Sequence, residues 1–155
     1  MELADILTEE SVLFCTDVTN KTDLLKQLSE VAAARTGCSA DEVFEAISNR
    51  ESLGSTGLGN GIAIPHGKLP GLTGVTAVFA RLETPLDYDS VDDQPVDVVM
   101  LLLAPLGAGA DHLKALALIA RILRIESVVD RLRTLRDPAR IHALLAQPFA
   151  THKAA

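Results

Sequence analysis

Arg50, His66 and His112 are the residues of this chain whose types and placement could carry phosphoryl chemistry. His66 sits in GSTGLGNGIAIPHGKL, residues 54–69, where a glycine-rich loop runs into Ile62-Ala63-Ile64 and stops at Pro65-His66-Gly67. Pro65 fixes its own φ and biases Ile64 toward an extended conformation, while Gly67 permits a turn that other residues resist. The pattern predicts an exposed imidazole at a strand end, on a rigid stalk. Such a group suits reaction with a reactive group on another protein. A structural loop histidine fits the same segment.

A neutral imidazole nitrogen is a competent nucleophile near neutral pH when the other ring nitrogen is held by a hydrogen bond. A phosphoryl group brings nearly two negative charges that something must offset. Arg50, expected at a helix end, offers a planar fork to phosphoryl oxygens. His112 falls in the first turn of a helix, where backbone N–H groups and the helix dipole favour an anion. Each has a plainer reading: Arg50 complements a helix dipole, and His112 caps a turn. Sequence alone does not show that the three converge.

The elements that must position them are legible. A short strand spans residues 11–15, and Asn20 caps a helix over 21–35 that Gly37 ends. Ser39-x-x-Glu42 opens a second helix with Val43, Phe44 and Ile47 inward and Arg50 near its end. Residues 75–82 and 96–104 read as strands, the second apolar enough to be buried on both faces. A helix follows from about Asp111 to Arg124, with Leu113, Leu116, Ala117, Ala120 and Leu123 on its inner side. Helices at 126–136 and 139–146 complete the pattern, and residues 147–155 are expected as a loose tail. Interspersed helices and buried strands argue for a layered α/β domain whose strand order the residues do not reveal.

Composition narrows the chemistry. The 155 residues carry a formal charge of -7 with 3% aromatic residues and no Trp, which offers nothing to nucleic acid or anionic lipid. Cys15 and Cys38 form no CxxC pair and join no metal cluster, so reduced structural thiols in a cytoplasmic protein are expected. The acidic start, MELADILTEE, lacks the apolar core of a targeting segment, and the run Val98–Leu106 is too short to span a bilayer. A dinucleotide fingerprint at Gly57-Leu58-Gly59 fails at Ile62, and a phosphate-binding loop ending at Gly67-Lys68 fails on spacing and at Leu69. Asp87, Asp89, Asp92 and Asp93 lack the glycine and glutamate of a calcium loop and read as a solvated connection. No cofactor or metal is expected.

GSTGLGNGIAIPHGKL, preceded by Asn49-Arg50-Glu51 and followed by ETPLDYDSVDDQPVDVVMLLLAP and His112-Leu113, resembles the IIA component of the phosphoenolpyruvate phosphotransferase system. The likeness is to the fructose/mannitol class, nearest its nitrogen-related branch, and covers about residues 5–146 as one domain. It implies a mixed β-sheet with helices on both faces. It also implies a covalent phosphohistidine: the tele nitrogen of His66 accepts phosphate from a histidine phosphocarrier (HPr/NPr-like) protein, and Arg50 and His112 support transfer. A free-standing domain without IIB or IIC portions is expected, and GLGNGIAIPHGKL resembles the regulatory branch more than the transporters. Both favour a phosphorylation-dependent regulator, with regulatory targets as partners, over a sugar-transport IIA that feeds a IIB partner. A docking module that carries no phosphate is the third reading. Phosphate at a site ringed by Ile62, Ile64, Leu69 and Leu72 is expected to alter partner affinity through charge and desolvation.

Overall fold

The computed structural model describes residues 1–154. After two 3-10 turns, the chain forms β1 (Val12–Cys15), α1 (Lys21–Thr36), α2 (Ala40–Ser52), β2 (Gly57–Gly59), β3 (Ile62–Ala63), β4 (His66–Leu69), β5 (Thr76–Leu86) and β6 (Val96–Pro105). Four helices follow: α3 (Ala110–Leu123), α4 (Glu126–Leu132), α5 (Pro138–Leu145) and α6 (Phe149–Ala154). Local signals set the boundaries as read. Asn20 accepts from the Asp23 N–H, Gly37 closes α1 at φ 78°, and the Ser39 hydroxyl caps α2 through the Glu42 N–H.

One mixed sheet holds the strands in the order β1-β5-β6-β3-β2, with β4 also beside β6. β6 lies antiparallel to β5 and parallel to both β3 and β4. Its alternate residues feed two cores. Val98, Met100 and Leu102 pack with α3, α4 and α5, while Val99, Leu101 and Leu103 pack with α1 and α2. The sheet is therefore covered by helices on both faces, the layered arrangement expected.

β3 and β4 are one strand interrupted. Ile62 pairs with Val98 and His66 with Leu102, the same offset along β6, so the register survives the break. At the break Ile64 turns its N–H to the Thr56 carbonyl (3.1 Å), while the Leu102 N–H bonds the Pro65 carbonyl (3.0 Å). His66 thus opens a strand rather than ending one. Gly67 provides close approach, not a left-handed turn: a Cβ there would sit 3.4 Å from both Ala46 Cβ and Ile47 Cγ2 of α2. The glycine-rich stretch forms a hairpin through Asn60 and Gly61, both at positive φ, as an Asn-Gly turn between strands requires. Arg133 clamps that turn by donating to Asp97 (2.9 Å) and to the Asn60 carbonyl (2.6 Å).

Three expectations need correcting. On α3 the buried face is His112, Ala115, Leu118, Ile119, Ile122 and, as expected, Leu123, whereas Leu113 is 66% exposed. The helix is apolar nearly all round, so periodicity admitted two stripes. Residues 147–155, read as loose, include α6, where the Phe149 N–H reaches the Glu2 carboxylate (2.9 Å) and His152 is buried; Ala155 lies outside the described residues. A six-residue helix is too short to announce itself by periodicity. Third, Ile62, Ile64 and Leu69 are core residues, and the exposed leucines are Leu53, Leu58, Leu106 and Leu113.

The tight α2–β4 contact yields a test. Gly67→Val should overpack it and destabilise the fold by about 1–3 kcal/mol, read as a lower urea midpoint.

Candidate functional site

The register fixes where each candidate points. His66 shares a face with Leu102, the α3 side of the sheet, while Gly67 faces α2. β2 pairs with β3 and not with β4 among the described residues, so the site lies at an open sheet edge.

The His66 ring is half-buried, less open than the sequence suggested. Its Nδ1 lies 3.0 Å from the Ile64 carbonyl oxygen. A carbonyl only accepts, so Nδ1 carries the hydrogen, and in the neutral ring the nucleophilic lone pair falls on Nε2.

His112 belongs to the first turn of α3 and is 7% exposed. The centroids of the two imidazoles are 5.6 Å apart and their planes tilt by 51°. Burial, followed by the charges of His66 and Lys68, pushes the His112 pKa below its ordinary 6.5. Its Nδ1 is buried without a partner among the described residues. It therefore enters any reaction near neutral pH as an uncharged ring.

Arg50 occupies the last turn of α2, and its Nη1 donates to the Gly54 carbonyl at 2.9 Å. That bond pins one arm of the fork and leaves the other donors for a ligand.

Arg50, His66 and His112 line one cleft of about 440 Å³, together with Lys68, Asn49 and the exposed Leu53. The three sequence candidates are brought together. The lining includes two cations, two imidazoles and no carboxylate, although the whole chain has a net charge of -7. The cleft wall is locally cationic in an acidic protein. Sequence reasoning passed over Lys68, although its position two residues beyond His66 on a strand is itself the signal. A larger hollow of about 480 Å³ beside α4 has mixed charge, with Glu126 and Asp130 opposing Arg124, and its Arg133 is already paired. The acidic connection of residues 87–93 is not wholly solvated, because Tyr88 is fully buried and Ser90 nearly so. No helix among the described residues is long and apolar enough to cross a membrane.

The family profile for the phosphoenolpyruvate-dependent sugar phosphotransferase system, EIIA 2, matches residues 5–147. A nitrogen regulatory protein of Bradyrhizobium diazoefficiens is 50% identical over 151 residues, covering 97% of this chain and 99% of its own. The crystal structure of nitrogen regulatory protein IIA-Ntr from Neisseria meningitidis superposes with a TM-score of 0.86 at 32% identity, covering 92% of this chain and 98% of its own. A fructose-specific EIIA component of Haloferax volcanii is 34% identical over 107 residues, covering 69% of this chain and 70% of its own.

The buried imidazole makes stability depend on pH. With its folded pKa below the unfolded value, the unfolded state binds more protons as pH falls through 6.5, so stability drops on that side and levels off above it. NMR titration should place His112 below 6.5, and between pH 7.5 and about 5 a His112→Gln variant should lose less stability than wild type.

Proposed function

The chain belongs to the EIIA 2 family of the phosphoenolpyruvate-dependent sugar phosphotransferase system, and from that premise we propose that His66 accepts a phosphoryl group from a histidine phosphocarrier protein and that its phosphorylation state serves as a regulatory signal in the cytoplasm. Family members are phosphotransfer components whose near relatives here carry the name nitrogen regulatory protein. The observation that carries the reading is an imidazole held at Nδ1 by the Ile64 carbonyl, in a cleft whose only charged walls are cationic.

In the proposed step the Nε2 lone pair of His66 attacks phosphorus in line with the bond to the donor's imidazole nitrogen. That P–N bond breaks, and its electron pair returns to the donor ring, which is protonated at its other nitrogen and so leaves as a neutral imidazole. Nδ1–H of His66 remains on the Ile64 carbonyl, so the phosphorylated ring forms as an imidazolium and no proton leaves it in the step. Arg50 and Lys68 offset the developing equatorial charge, and a His112 N–H donates to a phosphoryl oxygen. The exposed Leu53 at the cleft gives a protein donor apolar surface beside the reactive nitrogen.

Identity of 50% to a nitrogen regulatory protein against 34% to a fructose-specific component favours the regulator. Incubation with phosphoenolpyruvate, enzyme I and a phosphocarrier protein should place acid-labile phosphate on His66. His66→Ala should take up none while remaining folded. Arg50→Ala should slow uptake by about 10²–10³ without abolishing it, by analogy with removing one transition-state donor. Absence of acid-labile phosphate in wild type would leave a docking module. Rapid onward transfer to the cysteine of a sugar-specific IIB protein would point instead to the transporter reading.

A further inference from the structure

Glu51 is a carboxylate that the proposed chemistry does not use, yet it is among the most heavily engaged side chains in the protein. It follows Arg50 on α2 and is 5% exposed. Oε1 accepts from the Tyr88 hydroxyl at 2.5 Å and from the Thr56 hydroxyl. Oε2 accepts from the Thr56 backbone N–H at 3.0 Å and faces Lys21 Nζ at 3.4 Å. Lys21 in turn lies 4.3 Å over the Tyr88 ring and donates to the Tyr88 carbonyl, which also takes the Ser55 hydroxyl. One carboxylate thus ties the start of α1, the end of α2, the Gly54–Thr56 loop and the connection before β6 to a single point.

Three hydrogen bonds in series run from that point to the reactive ring. Glu51 holds the Thr56 N–H, the Thr56 carbonyl holds the Ile64 N–H at 3.1 Å, and the Ile64 carbonyl holds His66 Nδ1 at 3.0 Å. A second, shorter route passes through the same loop, because the Gly54 carbonyl receives Arg50. We propose that Glu51 is a positioning residue, which by fixing residues 54–56 sets both the single tautomer of His66 and the placement of the Arg50 fork. The inference deepens the phospho-acceptor reading and rests on it only for its kinetic part.

The geometry explains why a charge is used rather than an apolar plug. Three donors and an ammonium converge on two oxygens, and a neutral amide cannot accept from all of them. Removing the charge takes the ion-pair partner from the partly exposed Lys21 and leaves at least one buried donor unmatched.

The decisive experiment compares wild type with Glu51→Gln and, as a milder change that keeps the charge, Tyr88→Phe. In the unmodified proteins, ¹⁵N NMR of the His66 ring should give one tautomer protonated at Nδ1 for wild type. Glu51→Gln should give a mixture and Tyr88→Phe a lesser shift in the same direction. Phosphate uptake, measured well below the melting temperature, should fall at least tenfold in Glu51→Gln and a few-fold in Tyr88→Phe. Combining Arg50→Ala with Glu51→Gln should slow uptake by less than the product of the single effects, because both act through one loop. A wild-type tautomer in both variants, or a purely multiplicative double mutant, overturns the proposal. Should Glu51→Gln fail to fold, Tyr88→Phe decides the matter by the same two readouts. The tautomer needs no phosphate, so its outcome is separate from whether wild type is phosphorylated at all.

Discussion

The site depends on one register. Residues 62–69 run beside β6 at a constant offset, although Pro65, which has no N–H to donate, interrupts the ladder in between. A shift of one residue would exchange the faces of His66 and Gly67. The imidazole would then be driven into α2, where a Cβ already meets Ala46 and Ile47 at 3.4 Å. Register is well specified here because both sheet faces are packed: alternate residues of β6 belong to two separate cores, and neither tolerates the other's set. Ile64 faces away from β6, so its carbonyl is open to His66 Nδ1 and its N–H to the Thr56 carbonyl.

Electrostatics complete what register begins. An acidic chain has gathered Arg50 and Lys68 from different elements at one sheet edge and kept carboxylates off the cleft wall. Burial of His112 keeps a second ring uncharged beside the first, so the two imidazoles do not repel each other as cations. The nearby acid, Glu51, is withdrawn into a closed set of donors. Local potential and net charge therefore have opposite signs.

Much of this was legible in the residues. Caps and stops placed α1 and α2, and an unbroken apolar run marked β6 as central. Arg50, His66 and His112 stood out by type and by their place at element ends. What escaped were properties that need a second element to exist. The buried face of α3 was ambiguous because its apolar residues surround the helix. Gly67 looked like a turn because its true requirement is the proximity of α2 at Ala46 and Ile47, about twenty positions earlier in the chain. Tyr88 was hidden within an acidic run whose charge suggested solvent, although its hydroxyl has a carboxylate waiting on α2. The Asn60-Gly61 dipeptide was a readable hairpin signal and was passed over in favour of the glycine count.

On the proposed reading, the same charge arrangement explains how a small modification could be sensed. A phosphoryl group adds about −1.5 to −2 charge, a modest change against a molecular total of -7. Screening over roughly 8 Å at physiological ionic strength makes the distant total nearly invisible to a partner seated on the cleft. What such a partner meets is Arg50 and Lys68, two cations beside two imidazole rings, and the modification cancels about that much charge. The surface next to Leu53 would change from cationic to near neutral with little movement of backbone. The half-buried His66 suits this role better than a fully exposed ring, because the added charge then lies among the residues it neutralises rather than in bulk water.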